Sequence, residues 1–177
     1  MTNAIVEPRA RLLWASLAAT IALEVVLGRL NAPLQTTVAP LGIVSLELAH
    51  AGGVAAAMIA SWSESARATA RTSLVVDYLF LVAYPASLWL GCRAVAARVQ
   101  GRWPKVAGLA VALGWGAVVA GGLDAVENAA LLTQLASGAS AAMAGIAFWC
   151  ASVKFALVLA ALPMALPAMV RWRVRAG

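Results

Sequence analysis

Asp124, Glu127 and Asn128 stand at i, i+3 and i+4 in the run Gly121-Gly122-Leu123-Asp124-Ala125-Val126-Glu127-Asn128. On a helix that spacing places three polar side chains on one face. Two carboxyls this close, set among alanine, valine and leucine, can do acid–base work: a neutral acid gives up a proton while a neighbour accepts one. Asp77 is another acid inside an apolar run, and Tyr84, seven residues on, shares its helical face, whereas Tyr78 is turned from Asp77 by about 100°. Lys154 is a cation in the same kind of setting, suited to pair with Asp124 or Glu127 or to orient a substrate. Glu24 completes the set of ionisable residues within long apolar stretches. These residues predict a site in which Asp124, Glu127, Asp77 and Lys154 carry the chemistry and Asn128, Tyr84, Tyr78, Glu24, Glu47 and His50 bind.

Glu47 and His50 have the Glu-x-x-His spacing that metal-binding helical bundles use, where two such pairs meet further carboxylates. Only one pair is present, and His50 is the only histidine. No cofactor is therefore expected, and a metal held by Glu47, His50 and the neighbouring carboxylates is the weaker alternative. Cys92 and Cys150 are far apart with no CxxC spacing, and read as packing residues. The P-loop, GxSxG, HExxH and GxGxxG patterns are absent, which disfavours nucleotide, serine-hydrolase and zinc-peptidase chemistry.

The elements that hold these residues belong to a membrane protein. The 177 residues are 63% hydrophobic and 11% charged, with a mean hydropathy of +0.89. A soluble domain would be about one quarter charged. At about 20 residues per span the chain accommodates four or five crossings and no separate soluble domain, so residues 1–177 read as one membrane domain. The 13 Lys and Arg exceed the 7 Asp and Glu, but they cluster at the ends of apolar segments, where they set orientation and meet anionic headgroups. Nucleic acid is not an expected partner. The first apolar stretch has no small-residue cleavage site, so it reads as a retained span.

Four stretches are long enough to cross as helices: about 12–30, 72–95, 106–135 and 139–170. Between the first two lies the apolar run 41–62, interrupted by Glu47, His50 and the Gly52-Gly53 pair. A four-span reading puts the basic groups Arg9/Arg11, Arg93 to Lys105 and Arg171 to Arg175 on one side, against Arg29, Arg67 and Arg71 on the other. A five-span reading divides them less sharply. The expected fold is an all-α integral membrane protein: a four-transmembrane-helix bundle, with 41–62 as an amphipathic or re-entrant helix on the outer face. Both termini are then cytoplasmic, in a bacterial inner membrane. Trp14, Trp103 and Trp172 would lie at the inner interface and Trp62 at the outer one, leaving Trp89, Trp115 and Trp149 for packing. Small residues such as Gly114, Gly116 and Gly121 would let helices approach closely.

At a rise of about 1.5 Å per residue, Asp77, Glu127, Asp124 and Lys154 fall roughly 8, 12, 16 and 21 Å below the outer ends of their helices. The 41–62 segment would lie over them as a lid. A purely structural network would satisfy each group internally, but four carboxyls face one lysine, and uncompensated buried charge is costly. The favoured function is binding, or acid–base transformation, of a lipophilic small molecule at a carboxylate-rich site in the outer half of the bilayer. The alternatives are an accessory or assembly subunit of a larger membrane complex, and a proton- or cation-coupled transporter, which lacks polar residues for the inner half. Membrane lipids, a lipophilic ligand and a homo-oligomer or larger complex are the expected partners.

Overall fold

A computed structural model describes the backbone of residues 3–171 and the side chains of residues 9–170. Trp172, Arg173 and Arg175, and the side chain of Arg171, lie outside that description. The described chain is helical throughout, with no strand: α1 (Asn3–Asn31), α2 (Ile43–Glu47), α3 (Gly52–Ser61), α4 (Glu64–Val99), α5 (Pro104–Ser137) and α6 (Ala141–Arg171), with a 3-10 turn at Ala32–Leu34. Helices α1, α4, α5 and α6 are long and apolar enough to cross a membrane. Neither α2 nor α3 is, since a crossing takes about 20 residues. Val75, Leu79, Val82, Leu159 and Val170 are all exposed, an apolar surface that water would penalise and lipid solvates.

The long helices overrun the apolar stretches because their polar ends are capped. Ser63 accepts the Ala66 N–H at 3.2 Å and starts α4. Ser140 accepts the Met143 N–H at 3.2 Å and starts α6, and Pro104 occupies the first turn of α5, where its missing N–H costs nothing. Helix α5 stops at Gly138, whose φ of 91° suits the left-handed terminator position while its N–H returns to the Gln134 carbonyl at 3.0 Å.

The chain divides into two compact units. One comprises Ala22–Leu81 and Gly122–Val153, the other Met1–Ile21, Val82–Gly121 and Lys154–Gly177. Six of the seven Asp and Glu belong to the first and ten of the thirteen Lys and Arg to the second. They are called here the acidic and the basic unit.

In the acidic unit a core forms around Leu34, Leu46, Trp62, Leu74, Leu131 and Leu135, filled in by alanines of α3, α4, α5 and α6. The link from α1 to α4 is fastened to it by side chains. Asn31 accepts the Ile43 N–H at 2.8 Å and donates to the Leu41 carbonyl at 3.2 Å. The Trp62 indole N–H donates to the Leu34 carbonyl at 2.7 Å, and Thr36 and Ser61 share a hydrogen bond at 2.9 Å. The run 41–62 is two helices rather than one. It breaks between Glu47 and Gly52, with Ala51 extended. A Cβ on Gly52 would come within 2.7 Å of the Ala141 backbone nitrogen, so the start of α3 lies against the start of α6 only because that residue is glycine. Trp62, expected at an interface, is 2% exposed and belongs to the core.

In the basic unit Val95, Ala96, Ala107, Ala110 and Ala168 form one buried cluster. Small residues set its spacing: a Cβ on Gly91 would touch that of Ala165, and one on Gly114 that of Cys92. Cys92 is buried and Cys150 half-buried, both as free thiols. Trp89 and Trp115 meet edge to face at 6.0 Å. Trp115 is nonetheless exposed, as is Trp149 in the acidic unit. These two tryptophans pack on neighbouring rings, Trp115 on Trp89 and Trp149 on Phe148, while much of each stays exposed.

Candidate functional site

Helix α5 presents its buried polar residues as one stripe. Asp124, Glu127, Asn128, Leu131 and Gln134 follow one another at helical spacing on the buried side, with exposures of 3% at Asp124, 0% at Glu127 and 1% at Gln134. All lie in the acidic unit. Opposite them on α4 stands Asp77, half-buried, whose Oδ2 accepts a hydrogen bond from Asn128 Nδ2 at 2.7 Å. That distance is at the short end of the N–H···O range. Ser73, one turn before Asp77, is also buried. Tyr78, exposed, donates to the Ala125 carbonyl at 3.2 Å, a second tie between α4 and the stripe-bearing part of α5. A third comes from Arg71, which donates to the Leu135 carbonyl at 2.8 Å. That carbonyl belongs to the last turn of α5, where a cation meets the negative end of the helix dipole.

The other expected site residues are distributed as follows. Glu47 is buried at the last residue of α2. His50 is exposed in the break that follows and meets the Phe148 ring edge to face at 6.2 Å. The i, i+3 spacing therefore does not put Glu47 and His50 on one helical face, because the helix ends between them. Among the described residues no group of three His, Cys, Asp or Glu is placed to hold a metal ion. Glu24 is exposed on α1. Tyr84 and Lys154 are both buried in the basic unit, with the Lys154 ammonium 4.8 Å from the centre of the Phe155 ring, a cation–π distance.

Gln134 and Ser73 are buried polar residues that the sequence reading does not single out. Each carries a signal: Gln134 is seven residues beyond Glu127, hence on its face, and Ser73 four before Asp77. Among the described residues the buried carboxyl and ammonium side chains are Glu47, Asp124, Glu127 and Lys154. Within the acidic unit the arginines are Arg29, Arg67 and Arg71, none of them buried. Two have carbonyl partners, Arg67 at Trp62 (3.1 Å) and Arg71 at Leu135.

Fold and stripe together define a helical protein with four helices able to span a membrane and a band of buried acid and amide side chains on the third of them. No protein-family model, curated protein or solved structure matches the chain.

Proposed function

We propose that the protein binds a lipophilic small molecule within the membrane through Asp124, Glu127 and Asn128, with Asp77 holding Asn128 in place, and that the carboxyls can exchange a proton with it. The observation that carries this reading is the burial of Asp124, Glu127 and Asn128 together on one face of α5. Placing carboxyl and amide side chains in an apolar interior costs several kcal/mol that an aliphatic packing face would not incur. A carboxyl that carries a proton is both a hydrogen-bond donor and a proton source. Glu47, at the end of α2, is a further candidate lining residue.

The test is native mass spectrometry of the protein released from lipid nanodiscs. The wild type is expected to retain an adduct of small-molecule mass, and the Asp124→Asn/Glu127→Gln variant to lose it while melting within a few degrees of wild type. A variant that keeps the adduct, or a wild type that never carries one, sinks the proposal. A second reading, an assembly subunit, is favoured by α1, the least buried of the four long helices, which leaves Glu24 exposed. It predicts a protein partner in the same spectra.

For placement in the membrane we propose four crossings. They bring the C-terminal ends of α1 and α5 and the N-terminal ends of α4 and α6 to one side, and the excess of basic residues at the opposite helix ends makes that opposite side cytoplasmic, in a bacterial inner membrane. The α2–α3 link then lies on the outer face, as a short amphipathic or re-entrant segment. Ser65→Cys, in a chain with Cys92 and Cys150 replaced, is expected to react with an impermeant maleimide from outside, and an N-terminal tag to be protected. An exposed tag overturns the four-span arrangement.

A further inference from the structure

Gln134 has the most buried of the amide side chains on the α5 stripe, and among the described residues neither its Oε1 nor its Nε2 has a hydrogen-bond partner. The amide of Asn128, by contrast, is given to Asp77. A primary amide offers two donors and an acceptor, and leaving them unmade in an apolar interior is among the costlier things a fold can do. Leucine or methionine would fill such a position without that cost. The same face carries Glu127 two turns earlier, about 10 Å along the helix axis.

We infer that Gln134 is a second anchoring point of the α5 site, taking a neutral group of the ligand that both donates and accepts hydrogen bonds, namely a carboxamide. Two amides meet reciprocally, N–H to carbonyl in each direction, which satisfies both of the Gln134 atoms that lack partners. Resting on the proposed function, this gives the ligand a shape: an apolar body with an amide at the end that reaches Gln134. The discrimination comes from hydrogen-bond complementarity, since a hydrocarbon or an ester bound there leaves at least the Gln134 acceptor unpaired.

The probe is oleamide, with methyl oleate and 1-octadecene as controls, added to the protein in phosphatidylcholine nanodiscs and read by thermal unfolding. Oleamide is expected to raise the melting temperature of the wild type by several degrees, and the hydrocarbon to leave it unchanged. Gln134→Leu and the length-matched Gln134→Met are expected to fold, to melt at or above the wild-type temperature without ligand, and to need about tenfold more oleamide for the same protection, the loss of one to two net hydrogen bonds. Equal protection of wild type and both variants overturns the assignment, as does equal protection by oleamide and octadecene or no protection at all. The fate of the broader reading is decided separately by whether Asp124→Asn/Glu127→Gln loses the co-purified adduct. Variants at Gln134 that melt lower than wild type without ligand also overturn the Gln134 assignment, because the amide would then be serving the fold.

Discussion

Replacing Trp62 with alanine is expected to destabilise the protein by about 4 kcal/mol, the usual range for removing a buried tryptophan. The side chain is 2% exposed in the core of the acidic unit, in one buried cluster with Leu34, Ala66 and Leu131. Its indole N–H is bonded to the Leu34 carbonyl at 2.7 Å, and Leu34 is fully buried. Alanine therefore leaves a cavity and a carbonyl without its donor. Trp62→Phe separates the two effects: most of the volume remains and the hydrogen bond goes, for a loss of about 1–2 kcal/mol. Equilibrium unfolding in mixed micelles, followed by circular dichroism, measures both. The expected site of loosening is the link between α1 and α4, since Trp62 binds its end to its beginning. Hydrogen exchange should accelerate at Ile43 to Ser61 before it changes in the second half of α5. Uniform acceleration throughout the unit would mean that Trp62 supports the helices rather than the link.

That link marks where sequence reading ends. The four long helices are legible because a crossing helix needs little beyond a sustained apolar run, and each apolar stretch lies within or within two residues of a helix in the structure. Their true ends are less so. Helix α4 starts at Glu64 rather than Thr72 because Ser63 caps it, and a cap is a local signal that hydropathy averages away. The features that interrupt 41–62, from Glu47 to the Gly52-Gly53 pair, are visible in the sequence and coincide with the break between α2 and α3. What holds the link in place is not visible. Asn31 reaching Ile43 and Trp62 reaching Leu34 are tertiary bonds between residues with no shared periodicity. Gly42, whose φ of 63° opens the corner before α2, sits against the Asn31 carboxamide, a constraint that follows only from Asn31 being there.

The polar stripe shows the same division. Counting along one helix puts Asp124, Glu127 and Asn128 on a single face, and the structure has all three buried on α5. Gln134 obeys the same count, but near a helix end a glutamine looks like ordinary surface. Partners on other helices depend on register between helices, which no spacing within one helix determines. Asp77 meeting Asn128, 51 residues on, is such a case. Glu47 and His50 fail for the opposite reason: their spacing assumes a helix that has already ended.

Exchanging the two members of the Asp77–Asn128 pair is expected to restore what a single change destroys. Asn128→Asp alone puts a second carboxyl 2.7 Å from Asp77 Oδ2 and removes the amide donor of the pair, leaving acceptor facing acceptor, so a loss of about 3 kcal/mol is expected. Asp77→Asn alone keeps a carbonyl acceptor for Asn128 and replaces a charged by a neutral hydrogen bond, for a loss of about 1 kcal/mol. The double variant Asp77→Asn/Asn128→Asp re-forms the bond with donor and acceptor exchanged between α4 and α5. It should recover most of the stability lost by Asn128→Asp, leaving a coupling energy of about 2 kcal/mol in the double-mutant cycle. Because the exchange conserves side-chain volume and total charge, additive losses would show that Asp77 and Asn128 are each held by their other neighbours rather than by one another. The ligand adduct provides the second readout. If Asp77 serves only to position Asn128, the swapped protein folds but presents a carboxyl on α5 where the site expects an amide, and retention of the adduct falls even as stability returns.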